Sequence, residues 1–145
     1  MKALLLAGGF GKRLRPITEK IPKCLVPIQR RPLLDYWVYN LAKSNFNDFL
    51  VNTHYLPDEV RSFVSHHPLK EKIKLVHEDK LLGTAGTLRH NINYLNGEDI
   101  LMAHADNYCT ADFKEFIYHH KKRPKGCLIT MMTFSTENPE SCGIV

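Results

Sequence analysis

Met1-Lys-Ala-Leu-Leu-Leu-Ala-Gly-Gly-Phe-Gly-Lys-Arg-Leu-Arg-Pro-Ile-Thr18, continuing through Glu19-Lys-Ile-Pro-Lys-Cys-Leu-Val-Pro27, is the stretch from which the fold can be read. Residues 3–7 are wholly apolar. A run this short, stopped by glycines, reads as a strand buried on both faces, as in a parallel sheet. Gly8, Gly9 and Gly11 then fill three of four positions. Glycine tolerates positive φ and close approach of backbone to a ligand. Successive N–H groups in such a loop can converge into an anion nest. Lys12, Arg13 and Arg15 sit in or just after the loop, and Lys23 stands between Pro22 and Pro27. Strand, glycine loop and clustered cations together predict a phosphate site. The plainer reading of the same residues is a glycine turn carrying solvated cations.

Two common phosphate fingerprints are excluded. A Walker A loop requires Gly-x-x-x-x-Gly-Lys-Ser/Thr, but Leu6 stands at its first glycine and Arg13 follows Lys12. The dinucleotide fingerprint requires Gly-x-Gly-x-x-Gly, but Leu14 stands at its third glycine. What stands here is Gly-Gly-x-Gly-x-Arg-Leu-x-Pro-x-Thr, then Pro-Lys-x-x-x-Pro. That pattern resembles the signature of sugar-1-phosphate nucleotidylyltransferases, the NDP-sugar pyrophosphorylases, nearest to mannose-1-phosphate guanylyltransferases. The resemblance covers the whole chain.

The remainder of the chain alternates strand and helix patterns. Strands are expected at 48–53, 73–77, 99–103 and 127–134. Helices are expected after Pro32, after Pro57, after Thr84 as N-cap, and after Thr110 as N-cap. Trp37 is expected in the core. Such alternation predicts an α/β protein, Rossmann-like, with a mostly parallel sheet and helices on both faces. This agrees with the three-layer α/β/α nucleotidyltransferase fold that the resemblance implies. In such sheets ligands bind beyond the carboxyl ends of the strands, where strand order reverses. The glycine loop, Glu78, Gly83 and Asp106 all follow predicted strands, so they are expected on one edge.

The resemblance also implies roles. Leu6, Ala7, Gly8, Gly9, Gly11 and Lys12 would hold the triphosphate. Arg13 and Lys23 would be the catalytic cations, Arg13 at the leaving pyrophosphate and Lys23 at the α-phosphate and the incoming sugar phosphate. Asp106 would hold Mg²⁺, which takes one or two carboxylates alongside phosphate oxygens and water. Ala105 replaces the glycine usual before that aspartate. Glu78, Gly83 and Thr84 match the nucleobase segment. A carboxylate only accepts hydrogen bonds, and guanine offers two adjacent donors, so Glu78 points to GTP. The bland reading of Glu78 is a solvated loop residue paired with Lys80; that of Asp106 is a capping or turn residue. Gly143 matches a glycine facing the sugar, with Cys142 where tyrosine is usual. The substrates implied are an NTP and a sugar 1-phosphate.

Composition narrows the alternatives. The chain has 145 residues with a formal net charge of +5, which suits a substrate carrying several phosphates. No aromatic platform or recognition motif supports a nucleic-acid partner. No apolar stretch is long enough to span a membrane, and with only five apolar residues between Lys2 and the glycines no signal peptide is expected. The four cysteines form no Cys-x-x-Cys pair, which reads as reduced thiols in the cytoplasm. His66-His67 and His119-His120 are expected on the surface. A nucleotide-sugar sensor on the same fold is the second functional reading, but such modules tend to lose charged catalytic positions, and Arg13, Lys23 and Asp106 are present. Gly143-Ile-Val145 reads as the opening of a further strand, whereas the resembling enzymes continue well past it. The expectation is therefore a nucleotide-binding portion, 1–145, of a single nucleotidyltransferase domain truncated at its C-terminal side. Such a portion would bind nucleotide weakly, turn over little and self-associate; a homo-oligomer is compatible with this.

Overall fold

A computed structural model describes residues 1–141. They fall into two compact units, Met1–Thr110 and the residues from Ala111 onward. The first unit is built on β1 (Lys2–Leu6), the short pair β2 (Pro27–Ile28) and β3 (Arg31–Pro32), α1 (Leu33–Lys43), β4 (Phe49–Thr53), α2 (Pro57–Ser65), β5 (Ile73–His77), α3 (Gly83–His90), α4 (Ile92–Leu95) and β6 (Ile100–His104). The second carries α5 (Phe113–Lys121).

Among the described residues the main sheet has the order β5-β4-β1-β6, and every pairing is parallel. This bears out the parallel α/β reading. The apolar run of β1 explains its central place, because a strand flanked on both sides and covered on both faces needs apolar residues at every position. Ala3, Leu4 and Leu5 have no exposed surface at all. Alternate residues serve opposite faces. Leu4, Leu6 and Leu50 pack with Leu95, Leu88 and Tyr94 from α3 and α4. The chain runs outward from β1 to β4 to β5, then returns across β1 to β6. With right-handed crossovers that reversal puts α1 and α2 on the face opposite α3 and α4. It also places the switch point between β1 and β6.

Trp37 is buried as expected, and its indole N–H donates to the Asn107 carbonyl at 2.8 Å. α2 starts with Pro57 in its first turn. Several expectations are corrected. Residues 127–134 form no strand, because a strand needs a hydrogen-bonded neighbour and none pairs with them among the described residues. Leu128, Ile129 and Phe134 are exposed there. α3 begins before Thr84, which lies in its first turn; Leu82 is the cap residue and offers no side-chain cap bond. α5 is capped not by Thr110 but by Asp112, whose carboxylate accepts from the Lys114 and Glu115 amides, as an acceptor at an N-cap should. His67 is buried, unlike exposed His66 and His119. Its Nδ1 accepts from Leu69 N–H at 3.0 Å, so Nε2–H donates to Asp35 at 2.8 Å, and both ring nitrogens are satisfied. No helix among the described residues is long and apolar enough to cross a membrane.

Candidate functional site

The switch point carries a cleft of about 250 Å³ lined by Phe10, Gly11, Lys12, Arg13, Leu14, Lys23 and Asp106. Two strand ends build it. The glycine loop leaves β1, and Asp106 follows β6 after Ala105, whose N–H extends the ladder by donating to the Leu6 carbonyl at 3.0 Å. Ala105 is fully buried, so the methyl that replaces a glycine hydrogen is accommodated in the interior. Gly11 has φ +62°. A Cβ there would stand 2.9 Å from Thr18 Cγ2 and 3.2 Å from Lys23 Cβ, so the turn needs glycine on two counts. Thr18 is fully buried and its hydroxyl donates to the Gly11 carbonyl at 2.8 Å. The motif threonine thus holds the loop's exit, while Lys12 and Arg13 remain exposed in the following turn.

Lys23 lies in a later short turn, Lys23–Leu25, opened by Pro22. Its Nζ stands 2.9 Å from Asp106 Oδ2, each side chain about a quarter exposed at 28% and 25%. The cations expected to meet phosphate and the carboxylate expected to meet metal therefore line one cleft, although 83 residues separate Lys23 from Asp106. Among the described residues no group of three or more His, Cys, Asp and Glu is placed to hold a metal. A lone carboxylate fits Mg²⁺ that arrives with phosphates and keeps its water, rather than a resident metal cage. The neighbouring Cys24 thiol is buried, and burial first, with the charge of Asp106 adding to it, pushes it from 9.0 up to about 12. It stays a neutral packing group and not a nucleophile.

Glu78 requires a correction. It is 3% exposed, and its carboxylate is engaged within the chain. Oε1 accepts from Thr87 Oγ1 at 2.5 Å and from Asn52 Nδ2 at 3.1 Å; Oε2 accepts from the Leu82 amide at 3.1 Å. It neither pairs with Lys80 nor offers a free edge to a base. An acceptor buried next to three donors is worth more as an internal tie than as a ligand group. Asn52, which the sequence reading did not single out, completes that tie by accepting the Ala7 N–H at 2.7 Å. Its signal was available: an amide in the middle of Phe49-Leu-Val-Asn-Thr53 must find partners when buried. Gly83, at φ +71° and with open space around its Cα, and Thr84 lie exposed where α3 begins. Leu6 ends β1 inside the ladder, Gly8 is buried and Gly9 is exposed. Phe10 packs edge-on against His54 at 5.2 Å. Gly143 lies outside the described residues.

The sequence profile of the family described as nucleotidyl transferase matches residues 2–145. The mannose-1-phosphate guanyltransferase of Aspergillus oryzae is 34% identical over 149 residues, spanning 100% of this chain and 40% of the relative. The mannose-1-phosphate guanylyltransferase catalytic subunit beta of Xenopus tropicalis is 33% identical, spanning 100% of this chain and 41% of the relative. Among solved structures, HddC from Yersinia pseudotuberculosis complexed with GMP-PN superposes with a TM-score of 0.70 at 28% identity, over 81% of this chain and 53% of that one. A UDP-glucose pyrophosphorylase complexed with UDP-glucose shares the fold at TM-score 0.73 and 21% identity, over 83% of this chain and 53% of that one. The chain spans about two fifths of the length of the curated relatives it matches.

Proposed function

The chain belongs to the nucleotidyl transferase family, and from that premise we propose that it carries the nucleotide site of an enzyme joining an NTP to a sugar 1-phosphate, with release of pyrophosphate. The observation that carries this reading is the cleft at the switch point, lined by Lys12, Arg13 and Lys23 together with a single carboxylate, Asp106, which pairs with Lys23. A triphosphate is the ligand that matches three cations and a glycine loop. In this reading the backbone of Gly8, Gly9 and Gly11 cradles it.

A phosphate oxygen of the sugar phosphate attacks the α-phosphorus in line. The bond from that phosphorus to the bridging oxygen breaks, and its electron pair leaves on pyrophosphate. The attacking oxygen is already anionic, so no side chain has to remove a proton. Catalysis is then positioning and charge stabilisation. Lys23 steadies the α-phosphate and the incoming sugar phosphate. Arg13 meets the leaving pyrophosphate with its planar fork. Asp106 would hold Mg²⁺, which when bound offsets charge on the α-phosphate and the leaving group.

GTP is the proposed nucleotide. Support comes from relatives named mannose-1-phosphate guanyltransferase and from the HddC complex with GMP-PN, not from Glu78. The base would meet the exposed backbone of Gly83 and Thr84. We place the enzyme in the cytoplasm, a reading in keeping with the free thiols of Cys24, Cys109 and Cys127. Equilibrium titration with GTP, ATP, CTP, UTP and dTTP in the presence of Mg²⁺ tests the proposal. GTP binding tightest is the expected result. A preference for UTP or dTTP would overturn the base assignment, and binding of no nucleotide would overturn the site. Pyrophosphate release with mannose 1-phosphate and other sugar 1-phosphates then identifies the acceptor.

A further inference from the structure

We propose that Asn52 is a positioning residue that couples the phosphate loop to the turn opening α3, acting through Glu78. A nucleoside triphosphate would then meet both ends of its site already held in register. The inference rests on the reading of the cleft as a triphosphate site.

Asn52 sits in β4, a strand whose five residues are all buried. It is 4% exposed. An apolar residue there would serve the core at no desolvation cost, whereas a buried amide must be paired at both ends. Both ends are paired, and each points at a different part of the site. Oδ1 accepts the Ala7 N–H at 2.7 Å. Ala7 is where the chain leaves β1 for the glycine loop, one residue beyond the ladder position Leu6–Asn52. The side chain therefore takes over from the sheet at the first residue the ladder no longer holds. Nδ2 donates to Glu78 Oε1 at 3.1 Å. Glu78 is the corresponding residue past β5, its own N–H bonded to the Thr53 carbonyl at 2.8 Å. Through Thr87 and the Leu82 amide it fixes the start of α3.

The loop also lies against this bridge. A Cβ on Gly8 would stand 3.2 Å from Asn52 Nδ2, 3.2 Å from Leu81 Cδ2 and 3.3 Å from His54 Cβ. His54 in turn donates Nδ1–H to the Glu78 carbonyl at 2.7 Å, and Phe10 of the loop packs on its ring. The root of the phosphate loop and the turn at 82–84 are thus joined by one continuous hydrogen-bonded path, Ala7–Asn52–Glu78–Leu82, whose first three members are buried. Holding both in place before the ligand arrives spares the ordering cost at binding.

The test uses two variants, two ligands and a ligand-free readout. Asn52→Ala breaks the path at its centre and leaves the Ala7 N–H without its acceptor. Glu78→Gln keeps the Ala7–Asn52 bond but turns an amide donor toward the Leu82 N–H. In ligand-free protein, NMR hydrogen exchange should speed at the Ala7 amide in Asn52→Ala and at the Leu82 amide in Glu78→Gln. Asn52→Ala should weaken both GTP·Mg²⁺ and inorganic tripolyphosphate by on the order of tenfold, as for one lost buried hydrogen bond. Glu78→Gln should weaken GTP by about fivefold or more while tripolyphosphate changes by less than about twofold, because only the α3 end is released. Wild-type GTP affinity in both variants, or equal loss of the two ligands in Glu78→Gln, overturns the coupling while the site reading stands. A wild-type protein that binds neither ligand overturns the triphosphate reading and the coupling with it, and amide exchange still reports whether the bridge exists. Should Asn52→Ala fail to fold by circular dichroism, Glu78→Gln carries the test.

Discussion

Gly9→Ala and Gly11→Ala add the same methyl group two residues apart in one loop, and the structure gives them opposite outcomes. At Gly11 the backbone is left-handed, φ +62°, which costs an alanine about 1–2 kcal/mol relative to glycine. The new Cβ would also stand 2.9 Å from Thr18 Cγ2 and 3.1 Å from Thr18 Cβ. Thr18 cannot swing away easily, since it is fully buried and bonded to the Gly11 carbonyl. Overpacking of this kind costs about 1–3 kcal/mol. Restricting the unfolded chain returns about 0.4–1 kcal/mol. The net is a loss of about 1–4.5 kcal/mol for Gly11→Ala. At Gly9 the backbone is outside the left-handed region and a Cβ meets nothing within 4 Å. That variant should lie within about 0.5–1 kcal/mol of wild type, on the stabilising side if anything. Urea unfolding of the three proteins, at constant slope, measures the difference directly. Equal stabilities for the two variants would refute the account of the loop, and so would a Gly11→Ala protein within about 0.5 kcal/mol of wild type.

Three further outcomes are expected. Arg13→Ala should slow turnover of the active enzyme by on the order of 10²–10³, the effect of removing one preorganised charge-stabilising donor, with unfolding midpoint unchanged because the residue is exposed; pyrophosphate release and urea melts check both halves. Asp106→Asn should raise the Mg²⁺ concentration needed for GTP binding, since an amide is a poorer ligand for a hard cation; an unchanged Mg²⁺ dependence would leave Asp106 as the partner of Lys23 alone. Stability should fall as pH rises from about 9 toward 12. Burial lifts Cys24 from 9.0 to about 12, and burial with the Asp48 hydrogen bond lifts Tyr94 from 10.0 to about 12. The folded protein therefore holds both protons more tightly, the stabilisation is complete below the unfolded values and is lost through the folded ones. Urea midpoints from pH 8 to 11 check this, and a flat profile would refute it.

The parallel sheet was legible because it follows from periodicity and from the alternation of strand and helix patterns. The run at residues 3–7 read as a strand buried on both faces, and the alternation of elements around it called for parallel pairing. The cleft was legible for a related reason. Gly11, Lys12, Arg13, Lys23 and Asp106 all follow strand ends or the loop after β1, and a switch point gathers what lies there. The run at 127–134 misled because apolar, β-branched composition states a preference for pairing, whereas pairing itself depends on a neighbour that composition does not name.

His67 and Glu78 were misread for a common reason. Each was judged by how its side chain behaves in water, one as a surface base and the other as an acceptor with spare capacity. In the fold both are surrounded by complementary partners, one of which in each case, Asp35 for His67 and Asn52 for Glu78, lies far along the chain. His67 finds Asp35 and the Leu69 amide; Glu78 finds Asn52, Thr87 and the Leu82 amide. A buried polar group with all partners present helps fix a unique arrangement, while the same group half-satisfied is a liability. That asymmetry explains why Asn52 and Glu78 occur as a connected pair: either alone, in a strand or loop this buried, would leave a polar atom unmatched. Under the proposed function, base recognition would then fall not to the Glu78 carboxylate but to the backbone it holds in place, so that loss of the side chain should act on the base through geometry rather than through a missing contact.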